Sequence, residues 1–308
     1  MSRNTKSNIR SAAPVPDDEH VMSPEQQARR YELFERTIGI PGVVEIGRYR
    51  YAAAYEGLRL RAHPDGIEIC FLARGRQTYR VNKRIYRLRG GDQYLVFPGE
   101  PHDSAGMPEE KGVLYWFFLR LKPARDPVLF LSTKASRDLK RALLALPSRH
   151  FAAEPGTREL IEEIMASVTA DRSPVGRLAT AALIQRYLFS TLRASHRNRR
   201  ATASPRIQRC LAHIDAHLAD PLSVPSLARL VRLSTPRFKV RFREETGLPP
   251  REYVLRQKIA AAQTALRQPG ATVTAVAHAL GFSSSQYFAT VFRRFTGQTP
   301  SRQLALRH

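Results

Sequence analysis

The sequence predicts an α+β multidomain protein: an N-terminal β-barrel with accompanying helices, followed by an all-α C-terminal domain of two helix-turn-helix units. Three observations carry this expectation. Residues 40–121 alternate short β-prone runs with glycine and proline. From Lys134 the apolar period lengthens to that of helices. Near the C-terminus two stretches repeat one another at a spacing of 49 to 50 residues.

Residues 1–22 are polar, contain Pro14 and Pro16, and offer nothing that could build a core, so a disordered tail is expected there. Ser23-Pro-Glu-Gln26 has the pattern of a helix start, with Ser23 as cap and Gln26 three residues on, and predicts a leading helix through about Thr37. It opens a domain over 23–127. Runs at 67–72, 78–81, 94–97 and 113–119 read as strands, cut by Gly75, Gly90-Gly91, Pro98-Gly99 and Gly112, the texture of a sandwich or barrel. Helices are expected at about 134–146, 157–171 and 175–195, within a helical dimerisation region, 128–195. In the last of them Leu178, Ala182, Ile184, Leu188 and Leu192 recur at helical spacing, a face for another helix of this chain or for a second copy. Residues 196–206 lack an apolar period and read as a basic linker to a helical domain over 207–303.

Composition narrows the function. The chain has 308 residues, and 50 Lys+Arg against 27 Asp+Glu give a net charge of +23, which suits a polyanionic partner. Residues 201–308 alone carry +11. Arginine supplies 42 of the 50 basic residues, a bias that genomic base composition also produces, so charge alone does not decide the matter. The longest apolar run, 113–119, is far short of the ~20 residues of a membrane span, and the N-terminus lacks a signal-peptide stretch, so a bacterial cytoplasmic, nucleoid-associated protein without membrane contact is expected. Cys70 and Cys210 lie in different regions and are read as buried thiols rather than parts of a disulfide framework.

In the C-terminal repeat Ser223, Leu227, Ala228 and Leu233 recur as Thr272, Val276, Ala277 and Phe282. Phe238, Phe242, Arg243, Thr246 and Gly247 recur as Phe288, Phe292, Arg293, Thr296 and Gly297. Each copy holds a capped short helix, a small alanine where two helices approach, a turn, and a second helix closed by Thr-Gly, which is the grammar of a helix-turn-helix. At 100° per residue Phe238 and Phe242 fall on the inner side, with Pro236, Lys239, Val240 and Arg243 opposite. In the second copy Phe288, Val291, Phe292 and Phe295 face in, while Gln286, Ala289, Thr290 and Arg293 face out.

Residues 207–303 resemble the DNA-binding domain of the AraC/XylS family of bacterial transcription regulators. The resemblance rests on Leu233-Ser234, Phe238, Phe242, Glu245-Thr-Gly247, Tyr253-Val-Leu-Arg256, Ala277-His-Ala-Leu-Gly-Phe282, Tyr287-Phe288, Val291-Phe-Arg293 and Thr296-Gly297. It implies a DNA-binding face made of Pro236, Arg237, Lys239, Val240, Arg243, Ser285, Gln286, Ala289, Thr290, Arg293 and Arg294. Where similar proteins commonly put an arginine in mid-helix, this chain has Val240 and Thr290, which weakens direct guanine readout. Lys239 and Gln286 are then the base readers, Val240 and Thr290 are suited to a thymine methyl, and Arg243, Arg293 and Arg294 are suited to phosphates.

The β region resembles the cupin-like sensor domain of many such regulators, through His63, Glu68, Gly75, Tyr86-Arg-Leu-Arg-Gly-Gly-Asp92, Pro98-Gly-Glu-Pro-His102 and Tyr115-Trp116. Metal-binding cupins place four ligands where this chain has Arg61, His63, Glu68 and His102. Arginine cannot ligate, so His63, Glu68 and His102 remain as metal candidates, and no resident cofactor is expected. The favoured reading is instead that His102 caps its turn and Glu68 pairs with an arginine. An effector would sit among alternate strand residues inside the barrel, with His102 and Trp116 as candidate contacts. The expected function is sequence-specific transcription regulation without catalysis, as a homodimer binding double-stranded DNA, a small-molecule effector and, in an activator, RNA polymerase. The alternative is a cupin metalloenzyme, an oxygenase or isomerase, fused to a DNA-binding domain.

Overall fold

The structure, a computed structural model, describes residues 30–197 and 203–305. The predicted tail, the first part of the leading helix and the middle of the basic linker lie outside the described residues.

Among the described residues nine strands form two antiparallel sheets. They are β1 (Arg30–Phe34), β2 (Val43–Tyr51), β3 (Gly66–Arg74), β4 (Arg76–Val81), β5 (Arg84–Arg89), β6 (Asp92–Val96), β7 (His102–Asp103), β8 (Gly112–Arg120) and β9 (His150–Ala152). One sheet runs β1-β2-β8-β3-β6-β9 and the other β5-β4-β7. The all-apolar run of β8 is explained by burial on both faces. Leu114 and Trp116 point between the sheets, into a cluster with Tyr49, Tyr79 and Tyr94, whereas Tyr115, Phe117 and Leu119 point outward beneath helices. Trp116 therefore faces the barrel interior, a point that alternation alone left open.

The expected leading helix is corrected. Its described part is the strand β1, followed only by α1 (Glu35–Ile38). The capping pattern at Ser23 is local, but β1 pairs with β2 from Arg30↔Tyr49 to Phe34↔Glu45 and buries Leu33, so sheet pairing overrides it.

The outer face of the larger sheet is covered by α2 (Thr133–Leu144), α3 (Thr157–Ala170) and α4 (Pro174–Arg197). Here the single apolar face expected on α4 divides. Ile184 and Leu188 are fully buried in the sensor core, while Val175, Leu178 and Phe189 are exposed. Leu188 is thus an intramolecular core residue, because the sheet and α3 lie on that side of the helix.

The C-terminal domain consists of α5 (Pro205–Ala216), α6 (Val224–Leu230), α7 (Thr235–Thr246), α8 (Pro250–Ala265), α9 (Val273–Ala279), α10 (Ser285–Thr296) and α11 (Pro300–Ala305). It has two separate cores. Phe238, Phe242, Tyr253 and Val254 pack with Ile207, Cys210 and Ile214 of α5. Ile259, Ala262 and Leu266 pack with Phe282, Phe288, Phe292 and Phe295. The two halves of α8 therefore belong to different cores, which makes it the strut between the units. Among the described residues no helix is long and apolar enough to cross a membrane.

Candidate functional site

Each recognition helix is built by the same local chemistry. Ser223 Oγ accepts from Ser226 N at 3.1 Å to start α6, and Thr272 Oγ1 does the same from Ala275 N, also at 3.1 Å, to start α9. Ala228 and Ala277 are buried where the short helix meets its partner. Ser284 occupies the cap of α10 and accepts from Tyr287 N at 3.1 Å, and the second turn is one residue longer than the first. Gly247 and Gly297 close α7 and α10 at φ of 78° and 77°, a backbone region that glycine enters without strain.

The side chains divide as the wheel predicts. Phe238, Phe242, Phe288 and Phe292 are fully buried, while Pro236, Arg237, Lys239, Val240 and Arg243 on α7, and Gln286, Thr290 and Arg293 on α10, are exposed. Ser285 and Ala289 are half-buried beside them. Val240 is an apolar side chain 59% exposed in the middle of a basic face. Arg294 departs from this face. It is half-buried, its guanidinium lies over Phe295, and its carbonyl accepts from Ala54 N of the sensor at 2.8 Å. Arg241 is held by Glu245 at 2.8 Å and turns away from the free basic surface.

In the sensor, an antiparallel bridge between Arg61 and His102 brings four predicted residues together. Arg61 donates to Glu68 at 2.9 Å; His102 Nε2 lies 3.2 Å from Arg61 Nε and 3.2 Å from Glu68, and His63 Nε2 lies 3.6 Å from Glu68. His102 Nδ1 reaches the carbonyl of Glu100 at 3.1 Å, which holds the turn. Burial pushes the Glu68 carboxyl up, but the Arg61 guanidinium and the hydrogen bonds from His102 and His63 outweigh it and hold the group well below the usual carboxylate range. The ligand atoms of His63, Glu68 and His102 lie within 4.8 Å of one another, close enough for one ion. Their charge is already met by Arg61, so the network is satisfied as an arginine–glutamate–histidine cluster. Trp116 lies nearby, donating its indole N–H to Glu45 beneath the guanidinium of Arg30. The interior around these groups leaves about 20 Å³, room for roughly one water.

Sequence reasoning missed the contact between the domains. The carboxylate of Glu252 on α8 receives Arg74 at 3.3 Å and Lys111 at 3.0 Å, Glu110 pairs with Arg256, and Arg89 donates to the Glu245 carbonyl at 2.9 Å. A side chain on Gly247 would collide with the backbone of Gly90. The one legible signal was Glu252 and Arg256, charged residues one turn apart that flank the apolar Tyr253-Val-Leu255.

Two family models match side by side: an AraC-like ligand-binding domain over residues 45–186 and a helix-turn-helix domain over 227–305. The chain belongs to the AraC family of transcription regulators. It is 23% identical to the Msm operon regulatory protein of Streptococcus mutans, over 77% of this chain and 84% of that protein. It is 24% identical to the HTH-type transcriptional activator RhaS of Escherichia coli, with the same coverage of each. Among solved structures, the DNA-binding domain of AdpA in complex with a target DNA is 30% identical over 33% of this chain and 93% of that one, with a TM-score of 0.33. The relatives are regulators with DNA-binding domains, so this AraC-family chain is a transcription regulator and not a cupin oxygenase or isomerase. Its partners are DNA and a small-molecule effector.

Proposed function

We propose that this regulator reads its operator with the exposed faces of α7 and α10, Lys239 and Gln286 contacting base edges, Val240 and Thr290 thymine methyls, and Arg243 and Arg293 phosphates. The supporting observation is the split of each helix into a fully buried phenylalanine pair and an exposed polar face on the opposite side. Two such helices braced by α8 suit successive major grooves about 34 Å apart, one turn of DNA. The domain limits used are those read from the sequence, with the sensor at 23–127, the dimerising helices at 128–195 and the DNA-binding unit at 207–303. The protein works on the nucleoid; as an activator, the role for which its relative RhaS is named, it touches RNA polymerase.

The test is selection of bound sites from a random duplex library, followed by affinity measurements on the selected site. Lys239→Ala and Gln286→Ala are each expected to relax preference at one position by about 1–3 kcal/mol. Arg293→Ala is expected to weaken all sequences alike and to reduce the slope of log K against log salt by about 0.9. Unchanged base preference in both of the first two variants overturns the assignment.

Homodimerisation is proposed through the outer face of α4. Val175, Leu178, Ala182 and Phe189 follow one helical stripe, and the three larger side chains are 73%, 53% and 49% exposed. In sedimentation of the full chain, Leu178→Glu with Phe189→Glu is expected to give a folded monomer, whereas Leu188→Glu unfolds the sensor. A double variant that still dimerises removes this face from the interface.

A further inference from the structure

A cavity of ligand size lies not inside the barrel but between the domains. It is a cleft of about 850 Å³, against about 20 Å³ in the barrel interior. Small-molecule sites have volumes of about 300–1,000 Å³, so the cleft has space for an organic ligand in this conformation and the barrel interior does not.

Its walls come from opposite domains. Ala54 and Met107 belong to sensor loops, whereas Arg256 lies on α8, Arg267 in the turn just after it, Phe295 on α10 and Arg302 on α11. Met107 and Phe295 supply apolar surface and the three arginines supply positive charge, while the lining carboxylates of Glu56 and Glu110 are already paired, with Arg59 and Arg256. Arg256 is taken by Glu110, but among the described residues Arg267 and Arg302 have no carboxylate at ion-pair distance, and both are exposed and line the cleft. Two uncompensated guanidiniums beside an apolar floor favour a ligand that is both organic and anionic.

The cleft is also wired to the DNA-binding unit. Ala54, one of its wall residues, donates to the carbonyl of Arg294 in the last turn of α10, and Glu110 at its edge holds Arg256 of the strut. Material entering the cleft must act on the seat of the second recognition helix.

We propose that the effector of this regulator binds in the interdomain cleft, held by Arg267 and Arg302, and that it is a small organic anion, a carboxylate or a phosphate ester. This rests on the reading of the chain as an effector-controlled regulator. Because binding energies are linked, a ligand that prefers one arrangement of the two walls changes DNA affinity by the same factor by which DNA changes its own.

Calorimetric titration of the full chain with citrate, and separately with fructose 1,6-bisphosphate, tests this, with maltose as the neutral control. At least one anion is expected to bind and maltose is not; which anion binds distinguishes carboxylate from phosphate. The Arg267→Gln/Arg302→Gln variant is expected to bind about tenfold or more weakly, since each charge-assisted contact is worth about that factor. Tyr94→Phe, which alters a barrel-lining hydroxyl that has no hydrogen-bond partner, is expected to bind as the wild type does. No binding of either anion, equal binding by the arginine variant, or loss of binding in Tyr94→Phe overturns the proposal. DNA binding of the ligand-free protein is measured in the same samples. Its absence counts against the regulator reading and leaves the cleft result to stand or fall on the titrations.

Discussion

Phe242→Ala and Phe292→Ala are each expected to destabilise their own helix-turn-helix unit by about 3–5 kcal/mol, the range for deleting a buried aromatic ring. Both rings are fully buried, and each packs edge-to-face on the preceding phenylalanine of its helix, Phe238 at 5.3 Å and Phe288 at 5.6 Å between centroids. The molecule offers a clean readout, because its one tryptophan, Trp116, lies in the sensor. Denaturant unfolding followed by far-UV circular dichroism should show the helical transition moving to lower denaturant in both variants, while the Trp116 fluorescence transition moves much less. Val240→Ala, at a side chain 59% exposed on the same helix as Phe242, should change stability by no more than about 0.5 kcal/mol. Phenylalanine variants that unfold together with Val240→Ala would mean that the inward face has been misplaced.

Glu68→Ala carries the second large effect. Removing this carboxylate leaves the Arg61 guanidinium and the ring of His102 without their common acceptor in the barrel, and stripping one partner from a buried pair costs about 3–5 kcal/mol. The lower end of that range applies, because the side chain of Arg61 keeps 37% exposure to water. Trp116 lines the same interior, so its fluorescence transition should shift in this variant and the helical signal of the C-terminal units should shift less. The pH dependence has a definite sign. Burial raises the Glu68 carboxyl but Arg61 and the histidines lower it further, so its folded pKa lies below the ordinary glutamate value of about 4.3. Its stabilising contribution is therefore complete above that value and disappears as the pH falls through the folded pKa. Glu68→Gln should flatten this acid limb of the stability curve; an acid limb identical to that of the wild type would show that other carboxylates produce it.

The DNA-reading half was almost entirely legible in the sequence. Caps, small alanines, phenylalanines at i and i+4, and closing glycines are local instructions, and they recur in two copies, so each confirms the other. The strands of the sensor were legible where apolar runs end at glycine or proline. From Arg30 on the leading helix gave way to a strand because β1 is stabilised by β2, a partner that no local pattern reveals. The face of α4 was blended for a similar reason: Leu178 and Leu188 have the same hydropathy, and only the position of the sheet makes one core and the other surface.

The sequence by itself determined the chemistry of the two recognition helices, because their meaning depends on spacing along one segment; the residues around Glu68 were named through the resemblance to metal-binding cupins, and the bridge between Arg61 and His102 brings them together. The tertiary structure alone decided which face of β8 lines the barrel, how little room that barrel leaves, and where the domains meet. Arg74, Lys111 and Glu252 form one ion-pair cluster although about 140 to 180 residues separate the cations from the carboxylate. Such contacts arise when two independently folded surfaces meet. No periodicity records them, since each surface on its own is a solvated face.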